Sequence, residues 1–110
     1  MTGKVLGKIS NAEYGLIHDR PFLMGLKLEF KMGDYGTVGD GGKYTVNMSD
    51  ECRAWERGER AKTIEEKTDY IYKLLNDAKV NNVSQLKNIP VEVILENNCF
   101  KDFRILTEVL

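Results

Sequence analysis

Phe22-Leu23-Met24-Gly25-Leu26-Lys27-Leu28-Glu29-Phe30-Lys31-Met32 is the stretch that decides the fold class of this chain. Successive side chains of an extended strand point to opposite sides. Phe22, Met24, Leu26, Leu28, Phe30 and Met32 therefore share one face, and Gly25, Lys27, Glu29 and Lys31 share the other. An apolar period of two sustained over this length predicts a half-buried β-strand. Directly after it, Gly33 to Gly42 is glycine-rich and longer than a tight hairpin needs, and loops of this kind are often kept for binding. Lys43 to Met48 returns as a second strand, with Tyr44, Val46 and Met48 on one face.

Upstream, Val5 to Ile17 reads as an irregular strand in which Gly7 marks a bulge or a close backbone approach. Gly15 to Pro21 supplies a turn, since Pro21 holds Arg20 in extended geometry. Three antiparallel strands in a meander follow as the simplest arrangement.

Downstream, Ser49 caps a short helical turn that reaches Arg57, and Gly58 interrupts it. Thr63-Ile64-Glu65-Glu66 has the spacing of a capping box and predicts a helix from Ile64 to Lys79. Its apolar stripe, Ile64, Thr68, Ile71, Leu75 and Ala78 with Leu74 beside them, is assigned to the even-numbered face of the Phe22 to Met32 strand. Val83 to Leu86 is a single turn that tucks Val83 and Leu86 into the core. Ile89 to Glu96 reads as a strand with Pro90 near its start, and Asn97-Asn98 as a two-residue turn into a last strand, Cys99 to Leu110. The expected architecture is α+β: one domain over residues 1–110, a twisted antiparallel sheet of about five strands in the order β-β-β-α-β-β, and one main helix packed on one face.

Composition narrows the partners. The 110 residues include 16 basic and 17 acidic side chains, a net charge of -1, so no global field favours nucleic acid or an anionic membrane. The acidic excess of a DNA mimic is equally missing, which leaves a protein or a small molecule as the expected partner. No apolar run is long enough for a membrane helix, and Met1-Thr2-Gly3-Lys4 lacks the apolar block of a signal peptide, so a cytoplasmic location is expected. Cys52 and Cys99 belong to no CxxC or Cys/His pattern, which predicts reduced, mostly buried thiols and no zinc site.

Few residues suggest chemistry. His18-Asp19-Arg20 combines residue types used in acid–base catalysis, but adjacent residues converge on one point only when a turn folds them together, and a polar hairpin turn is the simpler reading. The glycine-rich segment lacks the phosphate-loop pattern: Gly42-Lys43 is followed by Tyr44, the position of the first glycine is Thr37, and Asp34 and Asp40 would repel phosphate. A non-enzymatic protein without cofactor or metal is the expectation. Two partner-binding regions stand out. One is the tip of a flexible arm carrying Tyr35, Val38 and Asp40. The other is the charged stretch holding Arg53, Trp55 and Arg57, since tryptophan and arginine are preferred interface anchors. Leu6, Leu23, Ile94 and Leu106 on the sheet's second face add the expectation of a homodimer.

The order of an alternating N-terminal strand, a loop with glycine and tyrosine, a charged helix with Ile71-Tyr72-Lys73-Leu74-Leu75, then Val80 to Leu86 and Ile89-Pro90-Val91-Glu92-Val93, resembles small phage and prophage proteins. It departs from their pattern at Ser84 or Gln85 and at Asn88. The resemblance implies a protein that occupies a host protein, including as an inhibitor of bacterial defence of the anti-CRISPR kind. Two other expectations stand beside it. One is a nucleotide sponge with a pocket of Tyr35, Tyr44 and Trp55 across a homodimer; the other is an assembly protein that pairs through an exposed edge, Cys99 to Leu110.

Overall fold

β1 (Gly3–Ile17) and β2 (Arg20–Lys31) form a long antiparallel hairpin around the turn at His18 and Asp19. The computed structural model describes residues 2–49 and 59–110. β3 (Thr37–Gly39) and β4 (Thr45–Asn47) both lie along the outer flank of β2, and α1 (Glu59–Ala78), β5 (Pro90–Glu96) and β6 (Cys99–Ile105) complete the chain. The sheet order is β3-β2-β1-β5-β6, with β4 also paired to β2 and every pairing antiparallel. This is the expected α+β architecture, with one strand more than the sequence suggested because part of the glycine-rich segment pairs with β2.

On the even-numbered face of residues 22–32, Leu26, Leu28 and Phe30 are fully enclosed and Met32 nearly so, whereas Phe22 at its start is exposed. β1 changes phase on the way. Its early core residues are Val5 and Ile9, whereas Ala12, Tyr14 and Leu16 face the same side further on, opposite Leu28, Leu26 and Met24. The register shift between Ile9 and Asn11 reverses the alternation, as one inserted residue must in a strand of period two. Gly7 is the close approach: a Cβ there would stand 2.4 Å from the Lys31 carbonyl oxygen.

The sheet is strongly curled. β2 and β6 are separated by β1 and β5, about 14 Å along a flat sheet at the usual strand spacing. Yet the Phe30 ring lies 5.2 Å from Phe100 and 4.8 Å from Phe103. Curling leaves a seam between the β3/β4 flank and β6. The Lys43 ammonium crosses it, donating to the Lys101 carbonyl at 2.8 Å, while the Lys67 ammonium of α1 donates to the Lys43 carbonyl at 3.0 Å.

The helix lies along this seam, touching β4 and β6, rather than squarely over β2 as the stripe suggested. Leu74 and Ala78 are buried, Tyr70, Ile71 and Leu75 pack against the core, and Thr68 faces solvent. Because the chain is already helical at Glu59, Thr63 and Glu66 lie in the helix interior and form no N-terminal capping box. The helix ends in a Schellman arrangement: Lys79 has φ 59°, its N–H donates to the Asn76 carbonyl, and the Val80 N–H donates to the Leu75 carbonyl.

The remaining connections follow the sequence closely. Val83–Leu86 is a 3-10 turn with Leu86 fully buried, and the Asn82 and Gln85 side chains cap it reciprocally. Asn97 and Asn98 both adopt positive φ, 53° and 65°, as a two-residue turn matched to strand twist requires. The last strand stops at Ile105, and Thr107–Val109 forms a 3-10 turn, so the expected strand through Leu110 is shorter than read.

Candidate functional site

The apolar face of the β1–β2 hairpin runs further than the helix can cover. Beyond Ala12, the core-facing residues Tyr14 and Leu16 are 55% and 69% exposed. Met24 and Val46 sit beside them as a cross-strand pair, and Met48 follows, its N–H bonded to the Phe22 carbonyl at 2.7 Å. From the helix, Ile64 and Ile71 complete a shallow groove with Tyr14, Met24, Val46 and Met48. Leu16 and Phe22 are also exposed and extend this shelf along the hairpin. The cause is geometric: the bulge turns Tyr14 and Leu16 towards the core side at a point where the hairpin has already outrun the core. Contiguous apolar surface of this kind on a folded domain marks an interaction site more often than scattered single residues do.

At the inner end of the groove the apolar face closes over an aromatic cluster. The Tyr44 and Tyr70 rings are stacked 4.8 Å apart, and Tyr44 meets Phe100 and Phe103 edge-on. Tyr44 is 4% exposed, and its hydroxyl has no hydrogen-bond partner among the described residues. Burial first, and the adjoining Tyr70 phenol second, push the Tyr44 hydroxyl well above the ordinary tyrosine range. Tyr70 is raised too, chiefly by burial.

The glycine-rich segment is laid along β2 instead of standing free as an arm. Met32 to Gly36 makes a 3-10 turn, and β3 then pairs with Glu29, Phe30 and Lys31. β4 pairs with Leu23, Met24 and Gly25, and the two short strands are one edge strand interrupted by an excursion at Gly41 and Gly42, both with positive φ. Asp40 bridges the interruption. One carboxylate oxygen accepts the Leu28 N–H at 2.8 Å and the other accepts the Gly42 N–H at 3.0 Å. The Asp40 N–H in turn donates to the Leu28 carbonyl at 3.1 Å. Gly25 allows the close approach of β4, for a Cβ there would stand 2.4 Å from the Tyr44 carbonyl oxygen.

The residues singled out in the sequence are thus dispersed. Asp40 is buried and committed to backbone N–H groups, Val38 packs against the core, and Tyr35 is exposed on its 3-10 turn. Arg53, Trp55 and Arg57, with Cys52, lie outside the described residues. Cys99 is a free thiol and is exposed, contrary to the expectation of burial. Of the residues of the nucleotide-sponge reading, Tyr44 is almost wholly buried in the core, Tyr35 is exposed on its turn, and Trp55 lies outside the described residues. His18 and Asp19 occupy an exposed turn, the polar-turn alternative.

A hollow of about 520 Å³ lies on the far side of the hairpin, among Asp19, Arg20, Lys27, Glu29 and Gly41. Its lining mixes two cations, Arg20 and Lys27, with three anions, Asp19, Glu29 and the buried Asp40, so no strong field of one sign selects a charged ligand. Among the described residues no cluster of His, Cys, Asp and Glu could hold a metal ion, and no helix is long and apolar enough to cross a membrane. The shelf was missed in the sequence because Tyr14 and Leu16 fall out of phase with Val5 and Ile9. That phase change is itself the signal that could have found it. Comparisons with protein-family models, curated proteins and solved structures find no match.

Proposed function

We propose that this chain is a non-enzymatic binding protein that docks another protein on the apolar shelf of Tyr14, Leu16, Met24, Met48 and Ile64. The observation that carries the reading is the continuity of this exposed apolar face with the core, at the end of the hairpin that α1 leaves open. The β1–β2 hairpin presents Tyr14, Leu16 and Met24 at fixed spacing, which limits the ordering entropy lost on association. The order of elements read in the sequence as resembling small phage proteins suggests the partner class to test first: a cytoplasmic protein of a bacterial host, with defence components such as CRISPR effectors at the head.

The test is affinity capture from bacterial lysate with the parent protein and with Ile64→Lys and Met48→Lys, both at partly exposed positions. Capture of one protein by the parent, loss with either variant, and the same loss when the interaction is rebuilt from purified components support the proposal. Capture that survives both substitutions overturns it.

A further inference from the structure

Exposed strand edges invite pairing, and natural sheets protect them with bulges, charges, prolines or very short strands. β6 carries such protection: a register shift lies opposite it between Ile94 and Leu95, Lys101, Asp102 and Arg104 line it, and the Lys101 carbonyl is occupied by Lys43. On the opposite flank, β3 and β4 are only 3 residues each and are broken apart at Asp40. β1 differs. Its pairing with β5 stops at Lys8, and the last backbone served on that side is Ile9, which donates to Ile89 at 3.0 Å and accepts from Asn88 at 2.7 Å. From Asn11 to Ile17 the strand is bonded only to β2 among the described residues. This segment holds no proline and no lysine; one register shift comes before it, between Ile9 and Asn11, and the other falls only at its last step, between Leu16 and Ile17.

We propose that Asn11 to Ile17 is the pairing edge of a homodimer, joined antiparallel to the same segment of a second copy. The sequence is complementary to itself in that direction. With the two-fold axis at Gly15, Tyr14 of each copy stands opposite Leu16 of the other, two aromatic–aliphatic pairs on the apolar face. Glu13 stands opposite Ile17 of the second copy, so no carboxylate meets a carboxylate, and the neighbour of Glu13 on β2 remains Lys27. A single charged residue in the segment, placed where it meets no like charge, fits a second copy. Pairing sets Tyr14 and Leu16 of the two copies side by side and joins the two shelves into one continuous sheet face that still presents them, with Met24, Met48 and Ile64, to a partner. The proposal is independent of which partner the shelf takes.

Sedimentation velocity and amide hydrogen exchange on the purified full chain, from low micromolar to near-millimolar concentration, test it. The expected result is a reversible dimer of twice the 12.6 kDa chain mass, with protection that rises with concentration at Asn11 to Ile17 and nowhere on β6. Leu16→Lys should weaken the dimer by at least about tenfold, since a charge on the edge is a natural block to pairing. Leu6→Lys, at a similarly exposed position on the opposite face, should leave it intact. Tyr14→Glu repeats the test should Leu16→Lys not fold. A monomer at every concentration overturns the proposal, as does a dimer that survives both edge variants or protection confined to β6. Pairing of the edge only with a different protein overturns it likewise.

Discussion

The Phe30 ring is stacked on that of Phe100, 5.2 Å away and within 9° of parallel, although two strands stand between them in the sheet. Only curling brings these rings together, so their coupling measures the curl directly. A double-mutant cycle with Phe30→Leu and Phe100→Leu, read by urea unfolding, should give an interaction energy of about 1 kcal/mol, as stacked aromatic pairs do. Additive losses would mean that β2 and β6 do not meet in solution.

Asp40 acts as a strand carbonyl where the edge strand is interrupted. Asp40→Ala leaves the buried Leu28 N–H unpaired and frees the Gly42 turn. The expected cost is about 3 kcal/mol, because charge-assisted hydrogen bonds are lost and a buried donor is stranded. Asp40→Asn should fall between parent and Asp40→Ala. An alanine variant as stable as the parent would show that the carboxylate does not hold the edge.

Among the described residues the Tyr44 hydroxyl is buried with no hydrogen-bond partner in reach and only the Tyr70 phenol beside it, so Tyr44→Phe should be neutral or stabilising at pH 7, within about 0.5 kcal/mol. At alkaline pH the tyrosines matter more. Their folded values are raised above the unfolded value, so the unfolded chain releases protons first and stability falls as pH rises above about 10. The limiting slope is about 1.4 kcal/mol per pH unit for each tyrosine. Chemical denaturation between pH 8 and pH 11 (about three units, spanning the unfolded tyrosine value) should show this loss, and Tyr44→Phe should make it shallower. An unchanged slope in the variant would contradict the assignment.

Lys79 holds a left-handed conformation at the helix terminus, where glycine is the favoured residue. Lys79→Gly should raise stability by about 1 kcal/mol, seen as a higher thermal midpoint. A lower midpoint would show that the lysine side chain contributes more than the backbone strain costs.

Much of the fold was readable because its signals are local. The alternation of Phe22 to Met32, the Asn97-Asn98 turn and the Val83 to Leu86 connector each depend on a few neighbouring residues, and each stands close to where the sequence put it. The helix start was misplaced because Thr63 and Glu66 mimic a cap while sitting inside a helix already formed at Glu59. What stayed hidden depends on distant partners. Asp40 looked like a carboxylate at a loop tip, and only the Leu28 N–H opposite it explains its burial. Tyr14 and Leu16 looked like the tail of an irregular strand, and their exposure follows from the bulge before them and from how far α1 reaches.

Site-directed photo-crosslinking tests the shelf most directly. A photoreactive side chain placed at Ile64, in the groove, is compared in bacterial lysate with one at Leu6, which is more exposed but on the opposite face. A docking surface on this face gives one dominant heterologous adduct from position 64 and none of that mass from position 6. Equal labelling from both positions, or no heterologous adduct from position 64, would contradict a docking surface on this face.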